Sequence, residues 1–89
     1  MSVSASSAVL ALQRSNSTVR YCFEADADPG VLPRALELIA KRGLVPARVF
    51  AQTDADVLNV EIEVDGLAPE TAEHVGRCLG EIVGVRQTF

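Results

Sequence analysis

The chain is poor in the residues on which most protein chemistry depends. Among its 89 residues there is no tryptophan, one tyrosine, three phenylalanines, one histidine and two cysteines. So few aromatics leave nothing for the stacked bases of an RNA-reading sheet, and they require a core of Val, Leu, Ile and Ala. The single histidine, His74, is predicted on the exposed flank of a helix with no Ser, Cys or carboxylate partner, so acid–base and nucleophilic catalysis have no candidate. Cys22 and Cys78 lack CxxC or Cys/His spacing and read as two buried, reduced thiols. The longest apolar run near the start, Ala8 to Leu12, is too short for a membrane span or a signal sequence. Positive charge is scarce as well: 8 Lys and Arg against 12 Asp and Glu give a net charge of −4, which repels nucleic acid and anionic membranes. These absences point to a cytoplasmic, non-catalytic protein without cofactor, metal, nucleic-acid or membrane partner.

What is present is a clear order of elements. Residues 1–17 are rich in Ser and Ala and read as a flexible tail, with at most a helical turn or two over Ala8 to Gln13. From there to Phe89 (residues 18–89) the sequence reads as one folded domain. Val19, Tyr21, Phe23 and Ala25 alternate with Arg20, Cys22 and Glu24, the period of a half-buried strand. Asp26 to Gly30 is a turn. Val31, Leu32, Ala35, Leu36, Leu38 and Ile39 then form one apolar stripe of a helix, which Asp28 is placed to cap and Gly43 to stop.

Leu44 to Thr53 reads as an edge strand, because Pro46 near its start cannot donate to a ladder. Asp54-Ala55-Asp56 is a hairpin turn. In Val57 to Val64 the residues Leu58, Val60, Ile62 and Val64 face one way, and Asn59, Glu61 and Glu63 the other. Alternating Glu on a solvent-facing strand is ordinary, so a metal-binding role for Glu61 and Glu63 is not favoured. Asp26-Ala27-Asp28 and Asp54-Ala55-Asp56 resemble pieces of a calcium loop, but the glycine and glutamate of that motif are not at the required spacing. Pro69 opens a second helix with Ala72, Val75, Leu79 and Ile82 inward. Gly76 and Gly80 read as weakening it rather than as close-packing positions. Val83 to Phe89 supplies the last strand.

The order strand-helix-strand-strand-helix-strand folds most simply as an α+β, ferredoxin-like βαββαβ unit, a four-stranded antiparallel sheet with two helices on one face. A domain this small buries only about 60% of its unfolded surface, and its open strand edges invite a second copy. A homodimer through the sheet edges is the expectation.

The run Tyr21 to Leu32, with Lys41-Arg42-Gly43 after it, resembles the opening half of an ACT domain. Within that family Pro29 to Leu32 with Arg34, Arg42-Gly43 and Val64-Asp65-Gly66 are most similar to the short regulatory subunit of acetolactate synthase. The resemblance implies the βαββαβ fold and an amino-acid effector near the glycine turn, with Asp28, Gly30, Val31, Leu32 and Val45 as ligand-binding positions. It implies no catalysis on this chain, but docking on an acetolactate synthase large subunit in branched-chain amino acid biosynthesis, through Arg34, Lys41, Arg42 and Arg48. The alternative is a stand-alone homodimer that senses an amino acid. Ala27 and Val45 stand where the family's amino-acid site often carries Asn. Each lost hydrogen-bond partner costs about 1–3 kcal/mol, which argues against valine feedback. An acylphosphatase-like enzyme on a similar fold would need a basic phosphate cradle after the first strand, where this chain places Asp26 and Asp28.

Overall fold

The computed structural model describes residues 18–89; the expected tail and its helical turn lie outside the described residues. Six elements follow in order: β1 (Val19–Asp26), α1 (Val31–Lys41), β2 (Pro46–Asp54), β3 (Val57–Val64), α2 (Pro69–Gly80) and β4 (Val85–Thr88). The strands form one sheet in the order β2-β3-β1-β4, every neighbouring pair antiparallel. This is the ferredoxin-like arrangement that the element order implies.

The core follows from the two periodicities. Phe23 and Ala25 on β1 and Val60, Ile62 and Val64 on β3 are buried, as period-2 alternation requires. Val31, Ala35 and Ile39 of α1 and Val75 and Leu79 of α2 meet them at spacings of four. Leu67 closes the core ahead of α2.

Three local details differ from the expectation. Gly30, not Asp28, is the N-cap residue of α1, and no side chain caps the helix. The last strand covers only Val85–Thr88 because Leu79 to Val85 is wound into a turn, Ile82 N–H donating to Leu79 O and Val85 N–H to Ile82 O. Strand β2 begins at Pro46 rather than Leu44 because α1 ends in a paired C-terminal motif. Gly43 N–H donates to Ala40 O and Leu44 N–H to Ile39 O, with Gly43 at φ 72. The two helix glycines behave as expected, since a Cβ would rest 3.4 Å from the Tyr21 ring at Gly76 and 3.5 Å from Thr88 Cγ2 at Gly80. Both are ordinary contacts, so packing does not demand either glycine.

In the β2–β3 hairpin, Ala55 sits at φ 58, where a Cβ costs about 1–2 kcal/mol. Ala55→Gly is therefore expected to raise stability by about 0.5–1 kcal/mol in a urea melt, after the greater chain entropy of glycine is subtracted. An unchanged or lower midpoint would show that the turn is not strained.

The helices cover β1, β3 and β4 but leave β2 bare. From Ala47 to Asp54 every residue is exposed on both faces. The cysteines are unpaired, as expected, but Cys22 and Cys78 are only partly buried rather than buried. Cys22 pairs across from Glu61, which puts it on the face away from the helices.

Candidate functional site

The turn between β1 and α1 is organised by Asp28. Its carboxylate oxygen Oδ1 accepts from Gly30 N–H at 2.8 Å, and its backbone carbonyl accepts from Val31 N–H at 3.1 Å. Pro33 has no N–H to offer. Among the described residues no acceptor is paired with Leu32 N–H, so it is the amide left free at the positive end of α1. Gly30 has an ordinary φ of −81. A Cβ there would meet the guanidinium of Arg34 at 2.9 Å, the far end of a flexible side chain. The backbone of the turn does not need this glycine.

Beside the turn lies an open cavity of about 550 Å³, lined by Ala27, Asp28, Pro29, Leu32, Pro33, Thr53 and Leu58. Its walls come from three parts of the chain. Antiparallel pairing sets Leu58 of β3 opposite Ala25 of β1, and Thr53 of β2 opposite Leu58. Ala27 N–H donates to Asp56 O at 3.1 Å and draws the hairpin against the turn. The lining residues that carry polar groups are Asp28, whose Oδ1 is engaged by Gly30, Leu32 through its N–H, and Thr53 through its hydroxyl. An anionic acceptor, an N–H donor and a hydroxyl in an apolar recess match a small zwitterion whose ammonium lies at Asp28.

The structure divides the five expected ligand positions. Asp28 and Leu32 line the cavity; Gly30 lies beneath Arg34; Val31 is fully buried in the core; Val45 is 82% exposed and lines no part of it. Thr53, Leu58 and Pro33 were not anticipated. The register of β1 against β3 was the available clue to Leu58, because pairing these strands end to end brings it beside the turn.

The four expected partner-binding cations are spread over two faces. Arg34 and Lys41 are two turns apart on α1, Lys41 beside Glu37 at 3.9 Å, and Arg42 donates to Cys78 Sγ at 3.8 Å. Arg48 lies on the outer sheet face, 2.8 Å from Glu61. There Arg20 and Arg48 bracket Glu61 and Glu63, so both carboxylates have cation partners. His74 has a neighbour that the sequence reading did not credit: its Nε2 is 3.6 Å from Cys78 Sγ, one helical turn on.

Two further side-chain contacts tie the elements together, the first of them beside the site. Arg86 of β4 bonds Asp26 at 2.6 Å and approaches Asp56 at 3.8 Å. The hydrogen bond to Asp26 and the nearby carboxylates raise its pKa further above the ordinary arginine range. Tyr21 donates to Ala72 O at 2.7 Å, and burial raises its pKa.

The sequence profile of the ACT-like domain family matches residues 12–88. No curated protein sequence matches the chain. Among solved structures, the crystal structure of the ACT domain from the GTP pyrophosphokinase of Chlorobium tepidum superposes with a TM-score of 0.73 at 8% identity, covering 83% of this chain and 96% of that one. The solution structure of the same domain gives 0.72 at 8% identity, with 84% and 85% covered. At that identity the likeness concerns the fold alone. No helix among the described residues is long and apolar enough to cross a membrane. With a family profile spanning both helices and nearly all of the sheet, the chain belongs to the ACT-like domain family.

Proposed function

We propose that this chain is a non-catalytic regulatory subunit that binds an amino acid in the cavity beside Asp28 and acts on a separate catalytic chain. ACT domains are regulatory modules, generally without catalysis of their own. The observation that carries the proposal is the recess itself: about 550 Å³ at a strand-to-helix turn, offering Asp28 for an ammonium and Leu32 N–H for a carboxylate. The catalytic chain we name is the large subunit of acetolactate synthase, on the strength of Pro29 to Leu32 with Arg34, Arg42-Gly43 and Val64-Asp65-Gly66. The apolar Ala27 in the cavity wall argues against valine as the effector. The second reading, a homodimeric sensor without a catalytic partner, uses the same cavity.

Calorimetry against the twenty amino acids tests the site. One of them is expected to bind at or below millimolar concentration, and Asp28→Asn is expected to weaken it by about 10- to 100-fold. The amide keeps an oxygen for Gly30 N–H but removes the charge, a loss worth about 1.5–3 kcal/mol. Binding by none of the twenty would sink the effector. Mixing with the acetolactate synthase large subunit tests the partner, with raised turnover and an earlier elution volume expected. If neither changed while an amino acid still bound, the stand-alone sensor would be the right reading.

A further inference from the structure

Apart from the recess, the two helices bring a thiol, an imidazole and a guanidinium to one place. Cys78 and His74 stand one turn apart on the same side of α2, with His74 Nε2 3.6 Å from Cys78 Sγ. Arg42, the residue that ends α1, reaches the same sulfur and donates to it through Nη2 at 3.8 Å. The thiol is only partly buried, so a small reagent can approach it. A nucleophile, a base and a cation therefore meet where α1 and α2 join.

Sulfur attacks as the thiolate, so its reactivity depends on a base that takes the proton and a group that holds the charge. Cys78 lies in the last turn of α2, where the helix dipole disfavours an anion, so side chains must supply the stabilisation. His74 is placed to receive the proton, and Arg42 to donate to the sulfur as charge develops on it. Glu73, beside His74 in sequence, faces Arg77 at 3.8 Å. Cys22 gives the contrast within the same molecule. It is also partly buried, but its cross-strand neighbour is Glu61. The cations of that sheet face, Arg20 and Arg48, are engaged by Glu61 and Glu63.

We propose that Cys78 is a site of reversible oxidation by small hydroperoxides, with His74 and Arg42 setting its reactivity. Sγ attacks one peroxide oxygen as His74 Nε2 receives the thiol proton. The S–O bond forms, the O–O bond breaks, and the leaving hydroxide or alkoxide takes the proton from the imidazolium. Sulfur loses two electrons and becomes a sulfenic acid, and the peroxide gains them and leaves as water or an alcohol. The chain has only two cysteines, and Cys22 lies on the sheet face away from the helices. The sulfenic acid is therefore left to a free small thiol, which condenses with it to a mixed disulfide and water. A second molecule of that thiol exchanges with the disulfide and restores Cys78.

The test uses the full chain, reduced and then freed of reductant, with hydrogen peroxide as the oxidant. Sulfenic acid is trapped with dimedone, and its initial rate of formation is measured at each cysteine by peptide mass spectrometry. Cys78 is expected to react at least about tenfold faster than Cys22, a modest share of what a positioned base supplies. His74→Gln keeps a polar neighbour without a base, and Arg42→Gln removes the charge. Each is expected to slow Cys78 by at least about threefold and to leave Cys22 unchanged. Unfolding would expose both sulfurs and bring the two rates together by raising that of Cys22, so the separate rates distinguish local chemistry from lost structure. Arg42→Lys keeps the charge and is expected to retain most of the Cys78 rate. Excess glutathione added after the peroxide, without dimedone, is expected to return Cys78 to the thiol. Equal rates at the two cysteines of the wild type, or a Cys78 rate that neither glutamine variant lowers, overturns the proposal. A loss in Arg42→Lys equal to that in Arg42→Gln overturns the part given to charge.

Discussion

Phe23→Ala is expected to cost about 3–5 kcal/mol in urea or thermal unfolding, the range for deleting a buried ring and leaving its cavity. Phe23 is 2% exposed, the bulkiest of the fully buried side chains, and sits on β1 between β3 and β4. Its cross-strand neighbours are Val60 and Thr88, and no other aromatic is buried in the core to take up the slack. A domain of this size has about 4–11 kcal/mol in total, at roughly 0.05–0.15 kcal/mol per residue, so the variant is expected to lose a large part of its stability margin. Phe23→Leu, which keeps most of the volume, should remain folded with a loss of about 1–2 kcal/mol. A loss below about 1 kcal/mol for Phe23→Ala would mean that the core is organised around other residues.

The size of that loss reflects the scarcity of aromatics with which the sequence begins. A core of short aliphatic side chains has little redundancy, which is why period-2 and period-3.6 patterns were readable at all. Val57–Val64 was legible to its ends because Leu58, Val60, Ile62 and Val64 alternate without a break, and α1 because its stripe is bounded by Gly30 and Gly43. Periodicity was silent where hydrogen bonds across a chain reversal decide the outcome. Leu44 looks like a strand residue by composition, yet its N–H is spent on Ile39 O. Asp28 looks like a helix cap, yet its carboxylate holds the residue one step earlier.

The cavity was harder still. Asp28 and Leu32 lie next to the turn in sequence, whereas Thr53 and Leu58 come to it only through the pairing of three strands. Val45, carried over by resemblance, follows the glycine of the helix stop and ends in solvent. Local patterns place residues on elements. They do not say which two elements a recess lies between.

Gly84 shows the same lesson in reverse, since the sequence gives no hint that it is the least replaceable glycine described. Its φ is +102, and a Cβ there would stand 3.0 Å from Val31 Cγ2, a side chain with no exposure at the first position of α1. Backbone strain of about 1–3 kcal/mol and steric overlap of similar size combine, so Gly84→Ala is expected to cost about 2–4 kcal/mol. Gly43 and Gly66 supply the control. Both have positive φ, at 72 and 76, but a Cβ at either meets nothing within 4 Å, so alanine there should cost only the backbone share, about 1–2 kcal/mol. Equal losses at all three positions would show that the contact with Val31 is relieved at no cost. The effect of Gly84→Ala also reaches the candidate site, because Gly84 O accepts from Asp26 N–H at 2.8 Å, and Asp26 O in turn accepts from Asp28 N–H at 2.7 Å. Pushing Val31 and the Gly84 carbonyl apart therefore displaces the turn from both sides. Amino-acid affinity is expected to fall in Gly84→Ala under conditions where the protein is still folded, whereas Gly66→Ala leaves affinity unchanged.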